Sequence, residues 1–393
     1  MNILRVFTPT SRLAVWMLLL AALLLSACGG GPGDSWAGVS INPDDDTIYV
    51  TYDERLVALD PASGGRLWEY PPKDSRDAKI YAVPVINNGT IYVGDYKGRL
   101  HAVSTDGELQ WVYEPDKDTL IGPISTTADD RVIGPAAVDS DKVFFGLGSR
   151  NVIAVSRETA KEVWVFETNH GVWAAPLYVP ANPDDETSRA MLYVVSLDHF
   201  LYAINPETGA ELWKKDLGGA APGNMVYDQA RSRIYVGTFL SELVAIDVQT
   251  REIVDRFKTK DWIWGSPAFQ DDVLYFGDLS GELYAVRVSD NGFEQIWQRA
   301  VAENAIRATP LLTDGMVIVG SKDKKVYAVE KQDGSSRWYK STKGEILTNL
   351  VFVPANAQND ESVDRVVIGT DDKDRLIVAF NAATGDEDWH YSD

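Results

Sequence analysis

One residue recurs through this chain with unusual regularity: an alanine in the middle of a five-residue, largely apolar run. It stands in LVALD (Ala58), LHAVS (Ala102), VIAVS (Ala154), LYAIN (Ala203), LVAID (Ala245), LYAVR (Ala285), VYAVE (Ala328) and IVAFN (Ala379). Successive copies lie 40 to 52 residues apart. Self-similarity at such a period marks one supersecondary unit repeated along the chain. A Val, Ile and aromatic run precedes each alanine, as in TIYVG at 90–94 and RIYVG at 233–237. A turn and a tryptophan follow it: Trp68, Trp111, Trp164, Trp213, Trp297, Trp338 and Trp389. The fifth copy lacks the tryptophan, and Val254 or Phe257 is expected to take its role.

Alternating β-branched and aromatic residues, punctuated by Gly, Asn and Asp, read as strands and hairpins. A further strand precedes each unit, giving four, labelled A to D. No stretch after residue 30 sustains a 3.6-residue period. Four strands in some 45 residues, repeated, specify a propeller blade. The chain therefore reads as all-β, an eight-bladed β-propeller of four-stranded antiparallel blades. The blades fall at about 36–70, 80–114, 131–167, 172–216, 221–257, 263–299, 306–340 and 346–391. A small alanine suits close packing of neighbouring sheets. A flat tryptophan suits the gap between blades, where its burial stabilises by a few kcal/mol. Blade 1 has its own A strand and Trp389 ends the last D strand, so closure of the ring needs no shared blade.

The first 27 residues carry Arg5 and Arg12, no acid, and the apolar run LAVWMLLLAALLL. That is the pattern of a secretory signal peptide, and the run is shorter than the ~20 residues a membrane-spanning helix needs. LSAC at 25–28 resembles the bacterial lipobox. The resemblance implies cleavage before Cys28 and lipidation of that thiol, with 28–35 as a flexible tether to a propeller at 36–393. Cys28 is the sole cysteine, so no internal disulfide and no Cys-based zinc site exists. The formal charge of −21 excludes the electrostatic footprint of a nucleic-acid binder.

Up-and-down blades sort their turns onto two faces. The A–B and C–D turns gather acids, among them Asp44–Asp46, Asp139, Asp271 and Asp272. Asp favours turns for backbone reasons, so these read as solvated turns. The D–A and B–C face differs. Its A strands are expected to open on one column: Trp36, Tyr81, Trp173, Trp264 and Arg307, with Leu347 in blade 8. In blades 3 and 5 the column falls near Val132 and Ala221. Tyr81 to Tyr92, Trp264 to Tyr275 and Arg307 to Ile318 all span eleven residues to the centre of strand B. The B–C turns add Tyr52, Tyr96, Phe200 and Phe239, with Lys97, Arg150, Lys322, Lys324 and Lys325. Aromatics with scattered cations on one rim have the composition of a protein-binding surface. The alternative is that these rings only cap the core beneath them.

The segment LYAINPETGAELWKKDL (201–217), with its Ala, Asn, Thr-Gly and Trp, resembles the PQQ-like β-propeller repeat. A lipobox followed by eight such repeats is similar to the BamB family of outer-membrane assembly lipoproteins. That resemblance implies a non-catalytic scaffold with protein partners, a barrel-assembly component among them, and a membrane contact through the lipid alone. It implies the periplasmic face of the outer membrane in a diderm cell, or the outer face of the cytoplasmic membrane in a monoderm one. A monomeric propeller is expected. Quinoprotein dehydrogenases of the same repeat type hold PQQ and calcium, and often a cysteine pair. Here no cofactor is expected, because no constellation of groups around a reactive atom is visible. His101, His170, His199 and His390 share no metal-ligand spacing and read as surface or strand-filling residues, and no GxSxG, P-loop or HExxH occurs. A small-ligand or quinone binder and a cell-envelope sensor remain the rival readings.

Overall fold

The computed structural model describes residues 37–115, 130–184, 188–355 and 363–393. The leader, Cys28, the tether and Trp36 lie outside the described residues. Eight separate four-stranded antiparallel sheets follow in order, each built from four consecutive strands. Blade 1 comprises Gly38–Ile41, Ile48–Tyr52, Arg55–Leu59 and Arg66–Tyr70; blade 8 comprises Val351–Val353, Arg365–Gly369, Ile377–Asn381 and Glu387–Tyr391. Among the described residues no helix is long and apolar enough to cross a membrane.

The repeated alanine marks a bulge as well as a close contact. In all eight blades the C–D pairing shifts register immediately after it. Before the shift the alanine faces the tryptophan, as in Ala203↔Trp213 and Ala285↔Trp297. A bulge adds a residue and local twist, which turns the outer strand toward the neighbouring blade. Six tryptophans then donate their indole N–H to a backbone carbonyl of the next blade, always three residues past its alanine. The pairs are Trp68 to Thr105, Trp111 to Arg157, Trp164 to Pro206, Trp297 to Lys331, Trp338 to Ala382 and Trp389 to Pro61, at 2.8–3.2 Å. In five of the six the ring rests on a turn glycine of that next blade; the corresponding turn of blade 3, after Trp111, carries Ala160 at φ +55°. Gly209 has φ +71°, and a Cβ there would lie 2.7 Å from the Trp164 ring, so both conformation and space demand glycine. The Thr-Gly of the repeat is thus the seat of the preceding blade's tryptophan.

Blade 5 departs from the expectation for its D strand. Its alanine pairs with Asp255, while Val254 is exposed and Phe257 packs two residues further on against Phe276 and Tyr284. Asp255 Oδ2 accepts the Phe293 backbone N–H at 2.6 Å, so a carboxylate ties blade 5 to blade 6 where an indole ties six of the other junctions. Blade 4 is also irregular: Trp213 is only partly buried and has no indole bond, and Arg251 sits at positive φ in the turn of blade 5.

The ring closes between blades 8 and 1 without a shared strand. Trp389 joins Ala37, Val39 and Val367 in one buried cluster. Thr348 Oγ1 donates to the Ala37 carbonyl at 2.7 Å, and Arg55 pairs with Asp393 at 2.8 Å. Near the axis, neighbouring backbones almost touch: a Cβ on Gly265 would lie 2.6 Å from the Arg307 carbonyl oxygen. Side chains one residue further bridge blades there, Ala175 N–H to Asn224 Oδ1 at 2.7 Å and Asn224 N–H to Ser266 Oγ at 2.9 Å.

Candidate functional site

The aromatic column does not open the A strands. Strand A of blade 6 is Ala268–Gln270, and Ala268 pairs with Tyr275, so Trp264 lies four residues upstream in the D–A connection. The same offset holds for Tyr81 and Val85, and for Arg307 and Leu311. Applied to blades 3 and 5, it puts Ile133 and Pro222 in the column rather than Val132 and Ala221, which are fully buried one residue earlier. The eleven-residue spacing from the column to the centre of strand B holds in blades 2, 6 and 7; the strand begins later because the chain first crosses the rim.

In blade 6 the crossing alternates. Ile263 is fully buried against Gly237, where a Cβ would come within 2.3 Å of it. Its two tryptophan neighbours are left nearer solvent, with Trp262 47% exposed. Phe239, on the B–C turn of blade 5, lies between them: its ring stacks on Trp262 at 4.9 Å and meets Trp264 at 5.4 Å. Trp264 in turn touches Trp173 of blade 4 at 5.9 Å. The Arg307 guanidinium of blade 7 lies 4.4 Å from the Trp264 ring centre, a contact worth about 0.5–2 kcal/mol. Backbone bonds hold the crossing in place: Phe239 N–H to the Ala220 carbonyl and Leu279 N–H to the Trp262 carbonyl. Leu240, beside Phe239, is 52% exposed. Blades 4 to 7 thus converge on one apolar patch with a cation at its margin.

The other expected rim residues do not join this patch. Tyr81 is buried and packs edge-on against Tyr96 at 4.5 Å, with Lys79 over Tyr81 and Arg131 over Tyr96, so this pair forms a separate cluster near blades 2 and 3. Phe200 packs beside Tyr202 under Lys214, away from the tryptophans. Tyr52 bonds Tyr391 at the closure of the ring. Trp262 is the member that sequence reasoning missed. The alternation Trp-Ile-Trp carried the signal, since a period of two puts both tryptophans opposite a buried isoleucine.

His101, expected as a strand filler, is a buried strut. Its Nε2 lies 3.0 Å from Asp95 Oδ2 and its Nδ1 2.9 Å from the Tyr70 hydroxyl, which joins blade 1 to blade 2. Burial opposes ionisation of Asp95, but His101 and the N–H groups of Arg99 hold its carboxyl below the usual range. Burial also pushes the Tyr70 phenol up to about 12. Among the described residues no three His, Cys, Asp or Glu side chains converge as a metal site.

A family model for the outer membrane protein assembly factor BamB matches residues 2–168, 129–250 and 202–393. The chain belongs to the BamB family. It is 22% identical to BamB of Escherichia coli K12 over 371 residues, covering 83% of this chain and 90% of that one. The structure of BamB from Moraxella catarrhalis superposes with a TM-score of 0.64 at 17% identity, over 87% of this chain and 94% of that one, a likeness of fold. A quinoprotein ethanol dehydrogenase of Pseudomonas putida is 31% identical over 233 residues, 53% of this chain. The BamB-like chain spans only 36% of that enzyme's length.

Proposed function

We propose that this chain is a membrane-anchored extracytoplasmic lipoprotein acting as a non-catalytic, protein-binding scaffold in the assembly of outer-membrane β-barrel proteins. The observation that carries the reading is the patch of Trp173, Trp264, Phe239 and Trp262 with Arg307 at its edge. Large rigid aromatics beside an arginine, half-exposed and held by backbone bonds, suit an anchor for a partner's apolar side chains. Family membership and the lipobox at Cys28 support the cellular setting: the periplasmic face of the outer membrane in a diderm cell, the outer face of the cytoplasmic membrane in a monoderm one. The propeller works as a monomer, without PQQ and without nucleic acid.

The test is capture from detergent-solubilised membranes with the full-length protein. Recovery of a barrel-assembly protein is expected. Trp262→Ala with Trp264→Ala should lower recovery at least tenfold, while the fold stays intact by circular dichroism. Undiminished capture by the double variant refutes the patch as the anchor. The dehydrogenase relative favours a second reading, a small-ligand binder. Saturable PQQ binding in the presence of calcium would favour it over the scaffold.

A further inference from the structure

A second site lies on the outer wall of the ring, away from the aromatic rim. A cleft of about 640 Å³ separates the D strands of blades 1 and 2. Trp68 forms one wall. Leu109 and Val112, 51% and 36% exposed, form the other. At this junction strand C of blade 2 carries His101, at the position of Tyr202, Tyr284 and Tyr327 in blades 4, 6 and 7 and of Val57, Ile153, Val244 and Val378 in the rest. The Tyr70–His101–Asp95 line forms the floor, and each nitrogen of the imidazole is already engaged. At one end Asp77, in the D–A connection of blade 1, is clamped by Arg99 and Lys97 of blade 2 at 2.6 and 2.8 Å. These cross-links hold the two walls at a set separation.

The cleft runs along the strands, from Asp77 at one end to the C–D turn of blade 2 at the other. That turn brings Asp106 and Glu108, both exposed and neither paired with a cation among the described residues. A five-residue strand spans about 17 Å, the length of an extended peptide of five or six residues. Apolar walls with unneutralised carboxylates at one end select against acidic ligands.

We propose that this cleft binds an extended peptide segment in which apolar side chains alternate with basic ones. The apolar residues pack on Trp68, Leu109 and Val112, and a Lys or Arg reaches Asp106 and Glu108. The site is independent of the rim: none of its residues contributes to the tryptophan patch.

The probe is a fluorescein-labelled heptapeptide of alternating leucine and lysine, read by anisotropy on the full chain, with the leucine–glutamate counterpart as control. Saturable binding of the lysine peptide alone is expected. Affinity should fall about tenfold in Leu109→Ser with Val112→Ser, which removes only exposed side chains, by loss of roughly 1.4 kcal/mol of apolar contact. It should fall about fivefold in Asp106→Asn with Glu108→Gln, and stay unchanged in Trp262→Ala. General attraction to an acidic chain would leave the serine pair with wild-type affinity, and that result overturns the proposal. So does equal binding of the glutamate peptide, or no binding of either.

Discussion

Trp389 is the tryptophan on which closure of the ring depends most, and its removal tests whether indole docking holds the blades together. The side chain is only 8% exposed, donates to the Pro61 carbonyl at 3.2 Å and lies over Gly64. A buried tryptophan removes some 200 Å² from water, about 5 kcal/mol as an upper bound. Partial collapse of the cavity brings the expected cost of Trp389→Ala to about 3–5 kcal/mol, of which the lost hydrogen bond contributes about 1 kcal/mol. Trp213→Ala is the internal control. That ring is part-exposed and has no indole bond, and the turn of the next blade carries Arg251 at positive φ instead of glycine, so about half the cost is expected. Urea unfolding followed by far-UV circular dichroism gives the two differences. Hydrogen exchange then locates the damage: amides of Gly38–Ile41 and Glu387–Tyr391 should lose protection in Trp389→Ala before those of blades 3 to 6. Equal cost for the two variants, or uniform loss of protection around the ring, would refute the docking argument.

Two further outcomes are expected. Asp255→Ala should cost about 1–3 kcal/mol because it strands the Phe293 N–H, whereas Val254→Ala, one residue earlier and exposed, should stay within about 0.5 kcal/mol; thermal melts separate them. Asp95 is held below its ordinary carboxylate value, so its stabilisation is complete above an unfolded pKa near ~3.9 and is lost as pH falls through the lower folded value. Asp95→Asn should therefore lower the melting temperature at neutral pH and flatten its dependence on pH below about 4; an unchanged acid limb would show that His101 and Arg99 do not hold the charge.

Strand count, blade order and most of the tryptophan contacts were legible because each is enforced locally and repeated from blade to blade. Small side chains at Ala58 or Ala245 answer to sheet packing, and glycine at a positive-φ turn answers to a ring placed over it. The rim column was legible as a spacing of eleven. Its position relative to strand A was not, since the strand boundary depends on where the backbone first finds a ladder partner. The substitute in blade 5 was sought among apolar residues because the missing residue was apolar. Asp255 met the same need through a hydrogen bond to a strand residue 38 positions away, which no local pattern marks. His101 likewise looked like a strand filler until Tyr70 and Asp95 were brought to its two nitrogens.

Most repeats carry a plug, the tryptophan, and a socket, the carbonyl and tight turn that receive the plug of the repeat before. A linear run of such units always ends with one plug and one socket vacant, at opposite ends. Only a circle leaves neither over, and Trp389 against Pro61 and Gly64 completes it. The seam between blades 8 and 1 therefore uses the same coupling as most junctions within the chain, which makes the point at which the circle is cut a matter of gene order rather than of architecture.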